Sequence, residues 1–418
     1  MKKKILITIG HKKREFEYIL LLSSFLKKNN FDVCIMYANF EVYSKIFFWQ
    51  PDIIILGQVN QNENIAVAKY ASKSGVVVTV LNCEGIYDET SEIKIYGSKI
   101  SAFVDYLFVW GVQHKKDALK STDLSRDQVI ITGTPKFDLY KLRHSIKKSS
   151  SKLRICIATS FSPADIEWKN ISSNIAYKHL GERSILKMKN EHLQLRNEYI
   201  SLAKEVLSIF KNVELKFRVH PLESIQVYVN ELGKYRNIYI DNVETTVSLL
   251  ENTDVLIHHR STLATEAWMF NIPTATFTNK IFSQSYQKVF DKFDEVFFHK
   301  EDVIKWLKSK QFDQGKFETG RNEFLDRWYS FTSLKGLSSV RICNFLNKVN
   351  MKKKRRMINL FVIINIFLFV VMKIFGKTNV FEVVGMVKGK RYLDEVNKNY
   401  IFSHEANNNR SNFDQLQK

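Results

Sequence analysis

The stretch DVLIHHRSTLATEAWMFNIPT (Asp254–Thr274) decides the architecture. A short apolar run, Asp254–His259, ends in two histidines and an arginine. Ser-Thr follows and opens a helical pattern, Leu263–Phe270, that stops at Asn-Ile-Pro. A strand passing straight into a helix is half of a βαβ unit, and the helix start leaves backbone N–H groups unpaired, where an anion is welcome. Ser261 or Thr262 is expected to cap that helix. Glu266 lies four residues after Thr262 on the same face, where it could accept hydrogen bonds from a ribose. An ordinary cap with an acidic first turn would account for Ser, Thr and Glu, but not for His258, His259 and Arg260 beside them. Successive side chains alternate across a strand, so at most one of the two histidines should point at a ligand.

Working outward, the same grammar recurs on both sides. Upstream, Leu153–Ser160, Glu214–Pro221 and Asn237–Asp241 read as strands, with helices at Asn190–Phe210 and Thr245–Glu251; downstream, Pro273–Phe277 is another strand. Pro163–Lys189 fits this pattern poorly and reads as a long loop or an inserted helix. Before the polar, basic stretch His144–Lys152, an earlier series runs Lys4–Gly10, Asp32–Ala38, Pro51–Gly57, Gly75–Asn82, Asp105–Gly111 and Gln128–Gly133, with helices at Phe16–Lys28 and Asn64–Lys73. Short, continuously apolar strands separated by helices mean parallel sheets covered on both faces. The expected architecture is α/β: two Rossmann-like domains, 1–145 and 152–345, joined by a linker.

The 418 residues, 45% hydrophobic and 25% charged, are those of a globular protein with length for two cores. Net charge is +20, which suits phosphate-bearing ligands or an anionic membrane; nucleic acid is not expected as a partner. The 4 cysteines are far apart, so neither a zinc site nor a disulfide scaffold is indicated. Met1-Lys-Lys-Lys leads into too short an apolar run for a signal peptide. There is no GxGxxG after a strand, no Walker A loop, no Asp-x-Asp and no HExxH. A dinucleotide oxidoreductase, a P-loop ATPase and a metal-bridged diphosphate mechanism are therefore disfavoured, and neither cofactor nor metal is expected.

In open parallel sheets, ligands bind beyond the carboxyl ends of the strands. Two more candidates lie there. In Asn82-Cys-Glu-Gly85, Glu84 could act as a general base toward a sugar hydroxyl, or be a surface residue of a βα loop. In Arg218-Val-His-Pro221, His220 could charge-pair a phosphate, or be a solvated strand end; Arg218 should face the same side. Pro221 fixes the backbone behind it.

The order Glu84-Gly85, His220-Pro221, Ser261-Thr262 is similar to the acidic-Gly, His-Pro and Ser-Ser/Thr motifs of bacterial sialyltransferases and polysialyltransferases. Capsule Kdo transferases and CDP-glycerol glycerophosphotransferases share the last two. The strings VDYLFVWGVQHKKDAL (Val104–Leu119) and ITGTPKFDLY (Ile131–Tyr140) resemble the bacterial surface carbohydrate biosynthesis proteins, a GT-B-like family. The resemblance spans about residues 1–345. It implies a metal-independent GT-B glycosyltransferase with Glu84 as base and His220 as catalytic phosphate ligand. Arg218, Pro221, Arg260, Ser261, Thr262 and Glu266 would bind a nucleotide-sugar donor, a CMP-sugar favoured. Gly10, His11 and Arg14 are assigned to the acceptor, a growing surface polysaccharide or lipid-linked glycan. Cys83 stands where a second acidic residue is usual, and Ser-Thr replaces Ser-Ser. A nucleotide-sugar 2-epimerase, a CDP-glycerol-type phosphotransferase and a non-catalytic tethered scaffold are the alternatives.

From 351 onward there are 13 Lys/Arg against 5 Asp/Glu. Lys352-Lys-Lys-Arg-Arg356 precedes Met357–Phe375, 19 residues just long enough to span a bilayer, with no clean amphipathic stripe. Residues 352–376 are expected to contact the membrane as a C-terminal helix, with 377–418 a partly disordered tail, and the body is expected on the cytoplasmic face of a bacterial inner membrane.

Overall fold

A computed structural model describes residues 2–10, 12–39, 41–60, 62–83, 99–143, 151–165, 182–241, 244–279, 288–312, 314–360, 362–364 and 366–367. Two compact units divide the chain: Met1–Glu84, Lys94–Leu142 and Leu325–Lys418 form one, Gly85–Ile93 and Arg143–Phe324 the other.

The first unit holds a parallel sheet of β1 (Lys4–Ile9), β2 (Asp32–Tyr37), β3 (Ile53–Leu56), β4 (Val77–Leu81), β5 (Tyr106–Val109) and β6 (Val129–Ile131), in the order β2-β1-β3-β4-β5-β6. Its helices are α1 (Lys12–Lys28), α2 (Glu41–Trp49), α3 (Asn62–Lys73), α4 (Val112–Ser121) and α5 (Pro135–Arg143). β3 and β4 are buried at every position, as strands covered on both faces must be. That continuity is why the strands are readable from sequence.

The second unit repeats the design with β7 (Leu153–Ala158), β8 (Val213–Arg218), β9 (Ile238–Asp241), β10 (Val255–His258), β11 (Thr274–Phe277) and β12 (Glu295–Phe297), in the order β12-β11-β10-β7-β8-β9. Its helices are α6 (Glu182–Ile209), α7 (Ile225–Leu232), α8 (Thr246–Glu251), α9 (Leu263–Met269) and α10 (Lys300–Ser309). α6 begins eight residues before the expected Asn190, because its opening turns bury only Ile185 and carry little periodic signal. Further on, Leu195, Tyr199, Leu202, Ala203 and Val206 form the stripe that seats it on the sheet. Of the segment expected to be a loop or inserted helix, Ser162–Ala164 is a single 3-10 turn and 166–181 lie outside the described residues.

α11 (Gly315–Tyr329) follows, and α12 (Ser338–Lys348) then packs in the first unit. The Asp138 carboxylate on α5 accepts from Ser338 N and Ser339 N at 2.7 Å each, capping α12 from a distant part of the chain. The basic run Lys352–Arg356 is not wholly open to a partner. Lys352 pairs with Asp105 and Lys354 with Asp52, each at 2.7 Å, so two of its cations close the first unit. Among the described residues no helix is long and apolar enough to cross a membrane. Residues 361, 365 and 368–375 of the expected segment lie outside them.

Candidate functional site

Both sheets reverse strand order beside their first strand, and this creates the crevices. In the second sheet the chain moves from β7 to β8 and β9 on one side, then returns to place β10 on the other. The loops after β7 and β10 therefore diverge, the general condition for a ligand site in an open sheet. The strands end flush, with His258 beside Ala158 and Ala158 beside Arg218. The ends of β8 and β10 are separated by one strand, about 10 Å in all.

The loop after β7, Thr159-Ser-Phe161, ties the flanking loops together. His220 N donates to Thr159 Oγ1 at 3.1 Å, and Ser160 Oγ donates to the His259 carbonyl at 2.9 Å. Phe161 N donates to Glu223 Oε1 at 2.6 Å, and Glu223 N to the His220 carbonyl at 2.9 Å. Glu223 also accepts a hydrogen bond from the Tyr228 hydroxyl, and burial pushes its carboxyl up to about 7. Three consecutive residues thus hold both loops of the crevice. They carry no motif that marks them in the sequence, and neither does Glu223, three residues past His220.

His220 is half-buried, and its Nδ1 accepts from Leu222 N at 3.2 Å. Nδ1 therefore carries no proton in that contact, and the ring's proton sits on Nε2, the atom able to donate to a phosphate oxygen. Pro221 and Leu222 are exposed beside it. Arg218 pairs with Asp241 at 2.9 Å, so its charge is directed along the sheet edge to β9.

The His-His-Arg-Ser-Thr turn differs from expectation in what its histidines and arginine do. His258 is fully buried; its Nε2 lies 2.8 Å from Asp294 Oδ2, and its Nδ1 accepts from Ser261 N at 3.2 Å. His259 is buried and stacked on Phe161 with ring centroids 5.8 Å apart, and burial pushes its imidazole well below the ordinary value. Arg260 has φ 45°, a left-handed residue, and its guanidinium forks Asp291 at 3.0 and 2.7 Å. The turn is therefore clamped by two carboxylates three residues apart, Asp291 and Asp294. Neither histidine lines an open surface.

Asp294 is the centre of the clamp. Besides His258 it accepts from Trp268 Nε1 at 3.2 Å, Arg321 at 3.0 Å, Thr276 Oγ1 at 3.3 Å and Thr274 Oγ1. Burial alone would raise its carboxyl, but His258, Thr274 and Arg321 outweigh that and hold it below the ordinary value.

Ser261 is the residue that caps: its Oγ accepts from Leu263 N at 3.3 Å and its carbonyl from Ala264 N at 3.0 Å. Thr262 is half-buried, and its side chain makes no capping bond. α9 has only 7 residues, and its first amides are already engaged: Leu263 N and Ala264 N by Ser261, and Thr265 N by the Thr262 carbonyl. Glu266 is buried one turn into the helix.

In the first unit the reversal lies between β1 and β3. There Gly10 N donates to Glu15 Oε2 at 3.1 Å, and a Cβ on Gly57 would lie 3.5 Å from Glu15 Oε2 and 3.7 Å from Cys83 Sγ. Buried Glu15 thus sits where the ends of β1, β3 and β4 meet. Glu15 and Gly57 were not foreseen, because an acid in a helix's first turn reads as a complement to its dipole. Glu84, His11 and the Arg14 side chain lie outside the described residues.

No family model and no curated protein matches the sequence. Solved structures do match the fold. S. aureus MnaA, in a structure with UDP, superposes with TM-score 0.54 at 14% identity, covering 84% of this chain and 99% of that one. The wall teichoic acid polymerase TagF gives 0.52 at 14%, covering 83% and 89%. A UDP-N-acetylglucosamine 2-epimerase gives 0.53 at 10%, covering 85% and 100%. The chain shares the two-sheet α/β fold of these enzymes, as the sequence led one to expect, and no sialyltransferase is among them.

Proposed function

We propose that this chain is an enzyme of bacterial surface carbohydrate assembly that binds a nucleotide-activated donor at the carboxyl edge of its second sheet and transfers the sugar to a glycan acceptor. The observation that carries the reading is His220: it stands at a strand end beside the sheet's reversal point, with Nδ1 engaged by Leu222 N and the proton on Nε2. Such a donor, together with the Ser261 and Thr262 hydroxyls, suits charge developing on a departing phosphate. Glu266 would hold the ribose. Glu84, after β4, would deprotonate the acceptor, with Gly10, His11 and Arg14 on the acceptor side. Arg218, Pro221 and Arg260 shape the donor wall; the arginines are engaged by Asp241 and Asp291 and serve it through position. The basic run Lys352–Arg356 followed by the apolar Met357–Phe375 supports a location at the cytoplasmic face of a membrane, where a lipid-linked acceptor would be met.

A second reading has support from the fold: MnaA was solved with UDP, TagF was soaked with CDPG, and 2-epimerases match equally well. Transfer of a polyol phosphate, or epimerisation of a soluble sugar nucleotide, would use the same crevice.

The test is binding of CMP, CDP, UDP and GDP to the full chain beside its His220→Ala variant. One nucleotide should bind, and the variant should lose about 10²-fold in turnover of the matching donor. Conversion of UDP-N-acetylglucosamine without acceptor would select the epimerase. Folded protein that binds none of the four would refute a donor site.

A further inference from the structure

Residues 349–357 form a strap across the amino-terminal ends of the first sheet's strands, the edge opposite Gly10, Gly57 and Cys83. Lys3 Nζ donates to the carbonyls of Asn347 at 2.8 Å and Val349 at 3.3 Å, just before β1. Lys354 reaches Asp52 and the Gln50 carbonyl before β3, each within 2.8 Å. Arg355 N donates to the Ser74 carbonyl at 2.9 Å before β4, and Lys352 pairs with Asp105 before β5 at 2.7 Å. Gly75, at φ 77°, lets the strap pass: a Cβ there would lie 2.0 Å from the Lys353 carbonyl. The Tyr70 hydroxyl then donates to the Met357 carbonyl.

Beyond the strap the chain turns helical. Asn359 Oδ1 accepts from Val362 N at 2.9 Å, an N-cap, and Ile363 N donates to the Asn359 carbonyl at 3.1 Å. Val362 is fully buried and belongs to the first unit's core cluster, which also includes Tyr43, Ile46, Val67 and Tyr70. Leu360, Ile363, Ile364 and Phe367, at i, i+3, i+4 and i+7, fall on another face and are 66%, 54%, 37% and 66% exposed. Ile366, one turn past Val362, is 45% exposed as well, so the segment presents outward apolar side chains on more than one face while Val362 anchors its first turn. Exposed Lys353, Arg355 and Arg356 precede it.

We propose that these apolar side chains and the three cations form a docking surface for an anionic lipid headgroup layer. Charge complementarity argues for lipid: a net +20 chain with cations beside exposed aliphatic and aromatic side chains fits anionic headgroups over acyl chains. The proposal rests on the membrane location given above and adds the contact surface and its orientation. The strap fixes the amino edge of the first sheet toward the bilayer, so the carboxyl edge of that sheet faces the cytoplasm.

Flotation of the full chain with phosphatidylcholine vesicles, with and without phosphatidylglycerol, tests this beside Leu360→Ser/Phe367→Ser and Lys353→Gln/Arg356→Gln. The chain should float with the anionic vesicles. The serine pair should weaken partitioning about a hundredfold, and each lost cation about fivefold. If the unsubstituted chain floats with neither vesicle, the membrane location and the docking surface both fail. If the serine pair floats as well as the parent, the docking surface alone fails and 368–375 carries the contact. Concentration-dependent dimerisation abolished by the serine pair, without vesicle binding, assigns these side chains to a second copy and overturns the proposal.

Discussion

Replacing Asp294 should disable the second unit more than any change at the crevice surface. Its side chain is fully buried, and that of Arg321 is only 8% exposed. In Asp294→Ala, Arg321 keeps the Phe293 carbonyl at 2.7 Å and Gln314 at 2.6 Å but loses its only ion-pair partner among the described residues. Removing one member of a buried ion pair costs about 3–5 kcal/mol, and the surviving acceptors place this case near the lower end. Against a total of about 5–15 kcal/mol, that is a large fraction of the stability. Asp294→Asn should cost less, about 1–3 kcal/mol, because one oxygen can still serve Arg321, Trp268 and Thr274. Its amide would face the His258 N–H, however, and push the ring toward the tautomer that no longer accepts from Ser261 N. The asparagine variant is therefore also expected to weaken nucleotide binding. In Asp294→Ala/Arg321→Met both charges go, and part of the loss should return, with a coupling of about 1.5–3 kcal/mol. Urea unfolding, read at constant m, measures all four chains. An alanine variant within about 1 kcal/mol of the parent, or strict additivity in the double variant, would refute the clamp.

Glu223 and Gly75 give two further tests. With the Glu223 carboxyl raised from 4.5 to about 7, its contribution is fully present below pH 4.5 and disappears as pH rises through 7. The parent should lose up to about 3 kcal/mol across that window, and Glu223→Gln should remove that slope from a urea series; an unchanged slope contradicts the assignment. Gly75→Ala meets both a left-handed backbone and the Lys353 carbonyl, so it should cost about 2–4 kcal/mol and weaken vesicle flotation. A melting temperature equal to the parent's would show that the strap does not pass there.

The sheets were legible because their strands are buried on both faces and read as unbroken apolar runs. β12 escaped notice for the opposite reason: Glu295–Phe297 is a half-buried edge strand of 3 residues, too short for any period to declare itself. At the site, position was legible and role was not. His258 and Arg260 looked like ligands because cations at a strand end have few local partners, yet their carboxylates lie 36 and 31 residues downstream in Asp291-Lys-Phe-Asp294. Only the placement of that segment against β10 and β11 reveals the carboxylates that hold His258 and Arg260. Glu15 shows the same principle in the first unit. Its meaning depends on β3 lying beside β1, which brings Gly57 to a carboxylate that the sequence places next to Gly10 alone. His220 differs from these: Leu222 N, two residues on, donates to its Nδ1, a local contact that sets the tautomer of a half-buried ring. Buried polar groups bonded to distant carboxylates stabilise the wall, whereas a half-buried imidazole oriented by its own backbone costs the fold little to replace, so the His220→Ala comparison reads ligand binding rather than stability.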